Sequence, residues 1–327
     1  MTTRSALVRL LADGAPHCDA ALAHTLNLEV AALAAEFAAL ADWGLVVEAA
    51  GDGAHRLSAP LDLIDAHRLT AALGSATRGR LASVAVHDDI PSTNAELLAD
   101  SRLAPGHVRT AIAEHQSAGR GRRGRSWLQP FGSGICLSLA WLFPAPPAAL
   151  GALSLAAGVA TLRALAAFGA TGLSLKWPND VLRDGKKLGG ILSELRLDAS
   201  GPAYVVIGVG LNVRLPAALK SEIAASGGVA PADLAGVAIP SRTALAAALV
   251  DALVAALVEF ESLGFGPFHA EWSRADALKD RSVRIEAAEG VRQGIARGVG
   301  PDGALRVEIG ARIESLASGE VTLRAVA

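Results

Sequence analysis

The chain has 327 residues, of which 51% are hydrophobic, and a formal net charge of −2. This length allows two or three domains with a sizeable core, and the low charge excludes a general attraction to nucleic acid or to an anionic membrane. The two cysteines, Cys18 and Cys136, match neither a disulfide framework nor a metal-ligand spacing. We find no signal-sequence pattern and no uninterrupted apolar span, and therefore expect a cytoplasmic protein without a membrane partner.

The first sixty residues predict a winged helix-turn-helix domain, with its boundary at residues 1–62. Its elements are helices over residues 3–12, 19–26 and 28–43 and strands over 45–49 and 55–58. Residues 1–60 carry three arginines against seven acidic residues, and the third helix contains Glu29 and Glu36 but no lysine or arginine. Because phosphate neutralisation supplies most non-specific DNA affinity, this composition argues against DNA binding. Operator binding and a structural or interaction role both stay open.

The rest of the chain predicts an α+β protein, in which strands mix with segregated helices. A connecting helix over 61–77 and a linker assigned to 63–80 lead to a central unit at 81–274. Its expected elements are strands over 81–87, 107–114, 134–142, 173–176, 189–196 and 204–211, forming a mixed sheet, and helices over 93–100, 150–168 and 243–263. Beyond residue 278, short alternating runs separated by glycines predict a small β-barrel, assigned to residues 275–327.

A cationic loop lies between two apolar segments of the central unit. Residues Gly119 to Arg125 contain four arginines and three glycines. The glycines satisfy G-x-G-x-x-G, but no helix pattern follows, so a dinucleotide-binding turn is not expected. Arginine binds phosphate and carboxylate through two parallel hydrogen bonds, and glycine lets backbone amides approach an anion. The loop therefore predicts a clamp for a polyanion, with a solvated surface loop as the alternative.

A second polar group follows a predicted strand, at Lys176-Trp177-Pro178-Asn179-Asp180. Asparagine and aspartate offer the oxygen ligands that Mg²⁺ prefers, although an Asn-Asp turn beside a buried tryptophan would look the same. Lys186 and Lys187 then precede a glycine-containing strand, which would allow a ligand close to the backbone. The run Gly208 to Asn212 repeats that pattern and ends on a polar amide.

Five motifs in this order resemble those of the biotin protein ligase family. They are Pro91-Ser92-Thr93-Asn94, Glu114 to Ala118 with the cationic loop and Trp127, Lys176 to Asp180, Lys187 to Glu194, and Gly208 to Asn212. The resemblance covers almost the whole chain and implies the bifunctional type, with an N-terminal winged-helix repressor domain, a central α/β ligase domain and an SH3-like C-terminal β-barrel.

The resemblance also implies a reaction. Biotin and ATP would give biotinyl-5'-AMP and pyrophosphate, with Mg²⁺, and a lysine of the biotin carboxyl carrier protein of acetyl-CoA carboxylase would then attack the mixed anhydride. The residue chemistry fits, since bringing a carboxylate to a polyphosphate needs positive charge at the α-phosphorus. A glycine-hinged loop that is mobile without ligand could shield the anhydride from water. A homodimer is a family tendency.

Site residues follow from the same motif match. Catalytic roles go to Lys187, Arg120 and Arg122. Biotin contacts are expected from Ser92, Thr93, Asn94, Gln116, Gly119, Arg120, Arg122, Lys187, Gly190 and Ile191. Nucleotide contacts are expected from Arg122, Arg123, Arg125, Trp127, Lys176, Asn179, Asn212 and Arg324, and Mg²⁺ ligands from Asn179 and Asp180. Two alternatives stay open, a lipoate-type ligase and a regulator that only senses a ligand.

Overall fold

The computed structural model describes residues 2–145, 147, 149–197, 201–225, 230–287, 290–317 and 322–325. Helices and a small antiparallel sheet form the N-terminal unit. Its elements are α1 (Thr3–Leu11), β1 (His17–Cys18), α2 (Asp19–Leu26), α3 (Leu33–Ala39), β2 (Val47–Ala49) and β3 (Ala54–Leu57). The predicted order of helices followed by a hairpin is confirmed. The third helix is shorter than predicted, because 3₁₀ turns at Val30–Ala32 and Leu40–Trp43 replace its two ends.

The linker differs from its prediction. It holds two short helices, α4 (Ala66–Ala72) and α5 (Ser75–Arg78), in place of one helix over residues 61–77. Asp65 accepts a hydrogen bond from the backbone N–H of Arg68 and so caps α4. The backbone just before this helix is hydrogen-bonded to a distant residue, since the N–H of Ile64 donates to the Glu114 carboxylate at 2.6 Å. That contact lies 50 residues along the chain, beyond the range of a local pattern.

A mixed sheet flanked by helices forms the centre of the molecule, as predicted. The elements are β4 (Leu81–Ile90), α6 (Thr93–Ala99), β5 (Val108–Gln116), β6 (Gly134–Phe143), α7 (Leu153–Ala167), β7 (Leu173–Lys176), β8 (Asp180–Arg183), β9 (Lys186–Leu197), β10 (Ala203–Asn212), α8 (Ala217–Ala225), α9 (Arg242–Leu263) and α10 (Gly266–Ala275). The strand order is β4-β5-β6-β10-β9-β8-β7, and β4 runs parallel to β5 while the other neighbours are antiparallel.

The two faces of this sheet have different partners. Along β10, Val205, Ile207 and Val209 belong to the large core cluster that includes residues of α7 and α9. Tyr204 and Val206 face the other way and pack with residues of α6. Further along that second face stand Gly208 and Gly210. Since alternate residues of a strand face opposite sides, the glycines leave room on the face that carries α6.

The C-terminal unit is an antiparallel sheet, which confirms the predicted strands, whereas the SH3-like β-barrel stays a prediction. Its strands are β11 (Ser282–Ala287), β12 (Gly290–Val299), β13 (Leu305–Ile309), β14 (Arg312–Leu316) and β15 (Thr322–Ala325), in the order β14-β13-β12-β11-β15. Val283, Ile285 and Leu305 are buried, so one face joins the main core.

Two helical stretches, Leu150–Ala167 and Arg242–Leu263, are long and apolar enough to cross a membrane by length and composition. In each, 61% of the apolar window is buried within the protein. They pack against each other and the central sheet, which is how core helices of a globular domain behave.

Candidate functional site

A cavity opens on the face of the central sheet that carries α6. Ser92 caps this helix by accepting a hydrogen bond from the N–H of Ala95 at 3.4 Å, and the first turn of α6 then lies over the strands. Strands β6, β9 and β10 supply the floor. The lining residues are Ser92, Thr93, Asn94, Gln116, Arg120, Trp127, Cys136, Leu137, Ser138, Gly190, Leu192, Gly208, Val209 and Gly210. The structure thus brings together seven of the residues predicted from sequence.

Hydrogen bonds fix the polar side chains of this cavity. The backbone N–H of Thr93 donates to Gln116 Oε1 at 2.9 Å. The Thr93 hydroxyl lies 2.7 Å from that of Ser138, which donates to Asn94 Oδ1 at 2.6 Å. Asn94 Nδ2 donates to Glu194 Oε2 at 2.8 Å. The side chains of a ligand pocket are therefore preorganised, which favours recognition of a polar group.

Two glycines of β10 make this packing sterically feasible. A Cβ at Gly208 would collide with the amide oxygen of Asn94. A Cβ at Gly210 would come within 2.6 Å of Cε2 of Trp127. The repeated Gly-x-Gly of the sequence is explained by these contacts, because only glycine lets both side chains lie against the strand.

The buried thiol of Cys136 is also part of the lining. Burial raises its pKa to about 12, although Arg242 and hydrogen bonds lower it. Since a thiolate is the nucleophilic form of cysteine, this neutral thiol serves as packing and takes no part in covalent chemistry.

The cationic loop forms a hairpin at the cavity rim. The N–H of Trp127 donates to the carbonyl of Gly119 at 2.9 Å, and the N–H of Gly121 donates to that of Arg125 at 2.6 Å. Arg123 and Gly124 turn the chain with positive φ values of 56° and 70°. The helix excluded by the sequence is absent from this described segment, where only a short 3₁₀ turn occurs at Arg122–Gly124.

Charge accumulates along this hairpin. Burial lowers the pKa of the Arg122 guanidinium, the cations of Arg123 and Arg125 lower it further, and the carboxylate of Asp180 raises it. Arg120 donates to Glu194 Oε2 at 3.2 Å. Crowded arginines repel one another, so a bound anion would relieve a repulsion that exists before binding.

Lys187 reaches the same face through a bulge in β9. The register against β8 shifts between the pairs Val181↔Gly189 and Leu182↔Lys187. Leu188 lies in the core, while the ammonium of Lys187 lies 2.7 Å from Asp180 and 6.0 Å from the centre of the Trp127 ring. A bulge inserts one residue and reverses the facing of those beyond it. Lys187 therefore points towards the hairpin.

The turn from Lys176 to Asp180 connects β7 to β8 and has the buried tryptophan of the alternative interpretation. Trp177 is 1% exposed, and its indole N–H donates to the carbonyl of Gly303 at 3.1 Å, so it does not line a ligand site. The bond before Pro178 is cis. Asn179 Nδ2 donates to the carbonyl of Ile191 at 2.7 Å. This turn joins the central sheet to the C-terminal unit.

The Mg²⁺ expected at Asn179 and Asp180 does not fit these contacts. The Asp180 carboxylate is the ion-pair partner of Lys187, with Lys176 at 3.9 Å. Among the described residues, no cluster of three or more His, Cys, Asp or Glu side chains could hold a metal ion. A carboxylate paired with lysine ammonium groups is a poor ligand for a cation.

Several predicted residues lie away from the cavity lining. The side chain of Ile191 packs in the core, because neighbouring residues of a strand face opposite sides. Asn212 is buried, and its amide donates to the carbonyl of Ala232 at 2.9 Å. Arg123 and Arg125 are exposed on the hairpin. The side chain of Arg324 lies outside the described residues; its backbone pairs with Arg284.

Sequence reasoning missed three side chains that complete the site. Ser138 is fully buried in a strand predicted to be uniformly apolar, and a polar residue there was the available signal. Glu194 ends the fourth motif, Lys187 to Glu194, but received no role. Gln129 accepts from the indole N–H of Trp127 at 3.3 Å and so orients that ring. No local pattern distinguishes Gln129 from a loop residue.

Comparison with known proteins supports one family. A family model for the Biotin/lipoate A/B protein ligase family matches residues 87–212. The bifunctional ligase/repressor BirA of Salmonella typhimurium is 36% identical over 321 residues, which covers 97% of this chain and 96% of that protein. The biotin–[acetyl-CoA-carboxylase] ligase of Mycobacterium tuberculosis is 39% identical over 240 residues, covering 70% and 85%.

A solved structure agrees with these sequence matches. The biotin protein ligase from Aquifex aeolicus in complex with biotin and ATP is similar, with a TM-score of 0.59 and 25% identity. The similarity covers 75% of this chain and 100% of that one. The unmatched quarter leaves room for the N-terminal unit.

Proposed function

The chain belongs to the Biotin/lipoate A/B protein ligase family, and on this premise we propose that it activates biotin with ATP and transfers it to a lysine of the biotin carboxyl carrier protein. The observation that carries the proposal is the cavity itself. A preorganised polar pocket opens directly onto a hairpin with four arginines and onto Lys187. Such a site suits an acid with one neutral polar end and one carboxylate, held beside a polyphosphate.

The pocket chemistry supports a role in holding the ureido ring. Ser92, Thr93 and Gln116 bring hydroxyl, backbone and amide groups to one end of the cavity. A ureido group has one acceptor and two N–H donors, and a preformed set of both kinds discriminates strongly against analogues that lack them. Gly190, which carries no side chain, leaves the floor flat for a ring system.

Activation requires a carboxylate oxygen to attack the α-phosphorus of ATP while the bond to pyrophosphate breaks. Both reactants are anionic, so the step needs cations where charge accumulates. We assign this role to Lys187, Arg120 and Arg122, with Lys187 between carboxylate and phosphate. The ion pair with Asp180 holds the Lys187 ammonium in position.

Transfer follows when a neutral lysine amine of the carrier attacks the acyl carbonyl and AMP leaves. Water must be kept from the anhydride in the meantime. The arginine hairpin is suited to this task, since it lies over the cavity rim and is held by few backbone bonds. We place the nucleotide beside it, with contacts from Trp127, Arg125, Lys176, Asn179, Asn212 and Arg324, and Mg²⁺ stays a prediction that this donor set does not favour.

Biotin-dependent exchange of labelled pyrophosphate into ATP tests the first step, and labelling of a carrier domain tests the second. We expect both with biotin and neither with lipoate, which separates this function from the lipoate-type alternative. Exchange that depends on lipoate, or no exchange with either acid, would overturn the assignment.

The N-terminal unit is proposed to be a winged helix-turn-helix domain, residues 1–62, whose face is unsuited to DNA. A groove between α3 and the hairpin is lined by apolar side chains, including Val30, Phe37 and Val46, of which Val30 and Val46 are about half exposed. Glu29 and Glu36 stand on the same segment. Phosphate contacts need cations, so we favour a structural role in this chain, although its relatives carry the name repressor.

A gel shift on the chain's own biotin-operon promoter, with and without biotin and ATP, tests this view. We expect no specific band, and a biotin-dependent complex would contradict it.

The central ligase domain at 81–274, the linker at 63–80 and an SH3-like fold for 275–327 complete the proposed division. A cytoplasmic location and ligand-promoted dimerisation are further proposals, the latter checked by sedimentation with both substrates.

A further inference from the structure

Glu194 lies where the pocket meets the arginine hairpin. It is on β9, on the same face as Gly190 and Leu192, and its side chain is 26% exposed. One oxygen, Oε2, accepts both from Asn94 Nδ2 at 2.8 Å and from Arg120 at 3.2 Å. A single carboxylate oxygen therefore joins a buried pocket residue to a hairpin cation.

The direction of the hydrogen bonds in the pocket is fixed by their acceptors. Asn94 Oδ1 can only accept, so the one hydroxyl proton of Ser138 is used in the 2.6 Å bond to it. Thr93 then donates in its 2.7 Å bond to Ser138, and its longer contact of 3.2 Å with Gln116 Oε1 shares the same hydroxyl proton. Asn94 Nδ2 donates onward to Glu194. The chain of donors runs from the pocket outward and ends on the carboxylate.

This arrangement gives Arg120 a fixed counter-ion. Holding two long side chains together costs entropy, which makes most partly exposed ion pairs weak. Glu194 is already held by Asn94, a buried residue with 4% exposure, so much of that cost is met before Arg120 binds. The other nearby carboxylate, Asp180, is occupied by Lys187.

We propose that Glu194 is a positioning residue that holds Arg120 at the pocket rim and anchors the arginine hairpin through Asn94. For its effect on catalysis the inference rests on the proposed function, because Arg120 is taken to contact the activated acid. Its structural part, the anchoring of the hairpin, is independent of any substrate.

Limited trypsin digestion of the ligand-free full chain tests the anchoring. Glu194→Gln keeps the size of the side chain and an acceptor for Asn94 but removes the charge. We expect cleavage after Arg122, Arg123 and Arg125 to be about fivefold faster than in the wild type, the change expected for one partly exposed ion pair. Arg120→Gln should accelerate cleavage equally.

Glu314→Gln is the matched control, because Glu314 pairs with Arg292 at 2.7 Å with similar exposure in the C-terminal unit. It should leave hairpin cleavage unchanged. Equal cleavage of Glu194→Gln and wild type, or acceleration by Glu194→Gln but not by Arg120→Gln, would overturn the anchoring.

A double-mutant cycle tests the catalytic consequence. Glu194→Gln should lower the kcat/KM for biotin in pyrophosphate exchange about fivefold and raise the release rate of the adenylate by a similar factor. If Glu194 acts through Arg120, the Arg120→Gln/Glu194→Gln double variant should have the same kinetic constants as Arg120→Gln alone. If the effects of the two substitutions multiply in the double variant, the two residues act independently and the proposed coupling is refuted. Absence of biotin-dependent exchange in the wild type would instead refute the proposed function and leave the digestion result standing.

Discussion

At the scale of single residues, the lysine at the cavity rim makes the sharpest prediction. Lys187→Ala removes the ammonium placed between carboxylate and phosphate, and it leaves Asp180 without its 2.7 Å partner. We expect pyrophosphate exchange to fall by about 10²–10³-fold, the usual loss of one electrostatic stabiliser. Biotin binding, measured by calorimetry without ATP, should change little. A large loss of biotin affinity would show that Lys187 serves the ground state.

Arg122 is predicted to control retention of the adenylate. Its pKa is lowered by burial and by its arginine neighbours, so it gains more than an exposed arginine from a bound anion. Arg122→Gly should speed adenylate release by about 10–100-fold, the equivalent of one charge-assisted hydrogen bond. Labelling of lysines on a bystander protein measures this release. Unchanged release would contradict the role.

The residues of the site were largely accessible from sequence, because short motifs carry their own chemistry. Ser92, Thr93 and Asn94 were found through the motif match to the biotin protein ligase family, and the structure puts all three in the cavity. Trp177 shows the limit of this approach. The neighbouring residues do not show whether this tryptophan lines a ligand site or is buried. Its contact with Gly303, which lies 126 residues further along the chain, shows that it joins two units.

At the scale of elements, close contact between strand β10 and the indole of Trp127 can be tested directly. Gly210→Ala places a methyl group 2.6 Å from that ring, and the indole must move because the strand is paired on both sides. We expect the KM values for ATP and biotin to rise about tenfold, as for the loss of roughly 1.4 kcal/mol of binding. Gly266→Ala, where a Cβ meets nothing within 4 Å, is the control and should behave as wild type.

The junction after α10 gives a pH-dependent prediction. Burial raises the pKa of Asp276 to about 6, and its Oδ2 atom has no hydrogen-bond partner. Between pH 3.8 and 6 the folded state binds more protons than the unfolded state, so this group lowers stability as pH rises through that window. Asp276→Asn should therefore raise the free energy of unfolding by about 1–3 kcal/mol at pH 8 and by little at pH 4. Urea unfolding at both values measures this, and equal gains would contradict it.

Elements missed by the sequence patterns share a physical cause. Strand β8 has only four residues, and α8 has no buried residue, so neither shows a periodic apolar face. Helix α10 begins with Gly-Pro, which suggests a turn but also suits the first turn of a helix. Long buried elements such as α7 and α9 were predicted to within three residues at each end.

At the scale of the whole molecule, the order of units followed from sequence, whereas their attachment did not. Trp43 of the N-terminal unit stacks on Phe131 with ring centres 4.9 Å apart, just beyond the arginine hairpin. Arg9 pairs with Asp88 on β4 at 2.5 Å. These contacts join residues about 80 positions apart, and local patterns contain no information about them. The N-terminal unit therefore contacts the segment that follows the arginine hairpin and one edge strand of the central sheet.

The buried ion pair of Arg242 and Glu114 holds three parts of the molecule together. The two side chains are 4% and 1% exposed and 2.6 Å apart. Arg242 also donates to the carbonyls of Asp62 at the end of the N-terminal unit and of Gly134 in β6. Glu114 accepts from Ile64 and lies two residues before Gln116 of the pocket. The strength of this ion pair should therefore affect both the free energy of unfolding and the geometry of the pocket.

Arg242→Met should lower the free energy of unfolding by about 3–5 kcal/mol, because it leaves the Glu114 carboxylate buried without a counter-ion. Adding Glu114→Gln removes that charge yet keeps an acceptor for Ile64, so it should restore part of the loss. Arg163→Met is the control, since Arg163 pairs with Glu271 at the surface with 39% exposure and should cost at most about 1 kcal/mol. Urea unfolding of the four proteins measures the difference. If the double variant is no more stable than Arg242→Met, the stability is lost because the carbonyls of Asp62 and Gly134 have lost their donor, and not because the charge of Glu114 is uncompensated.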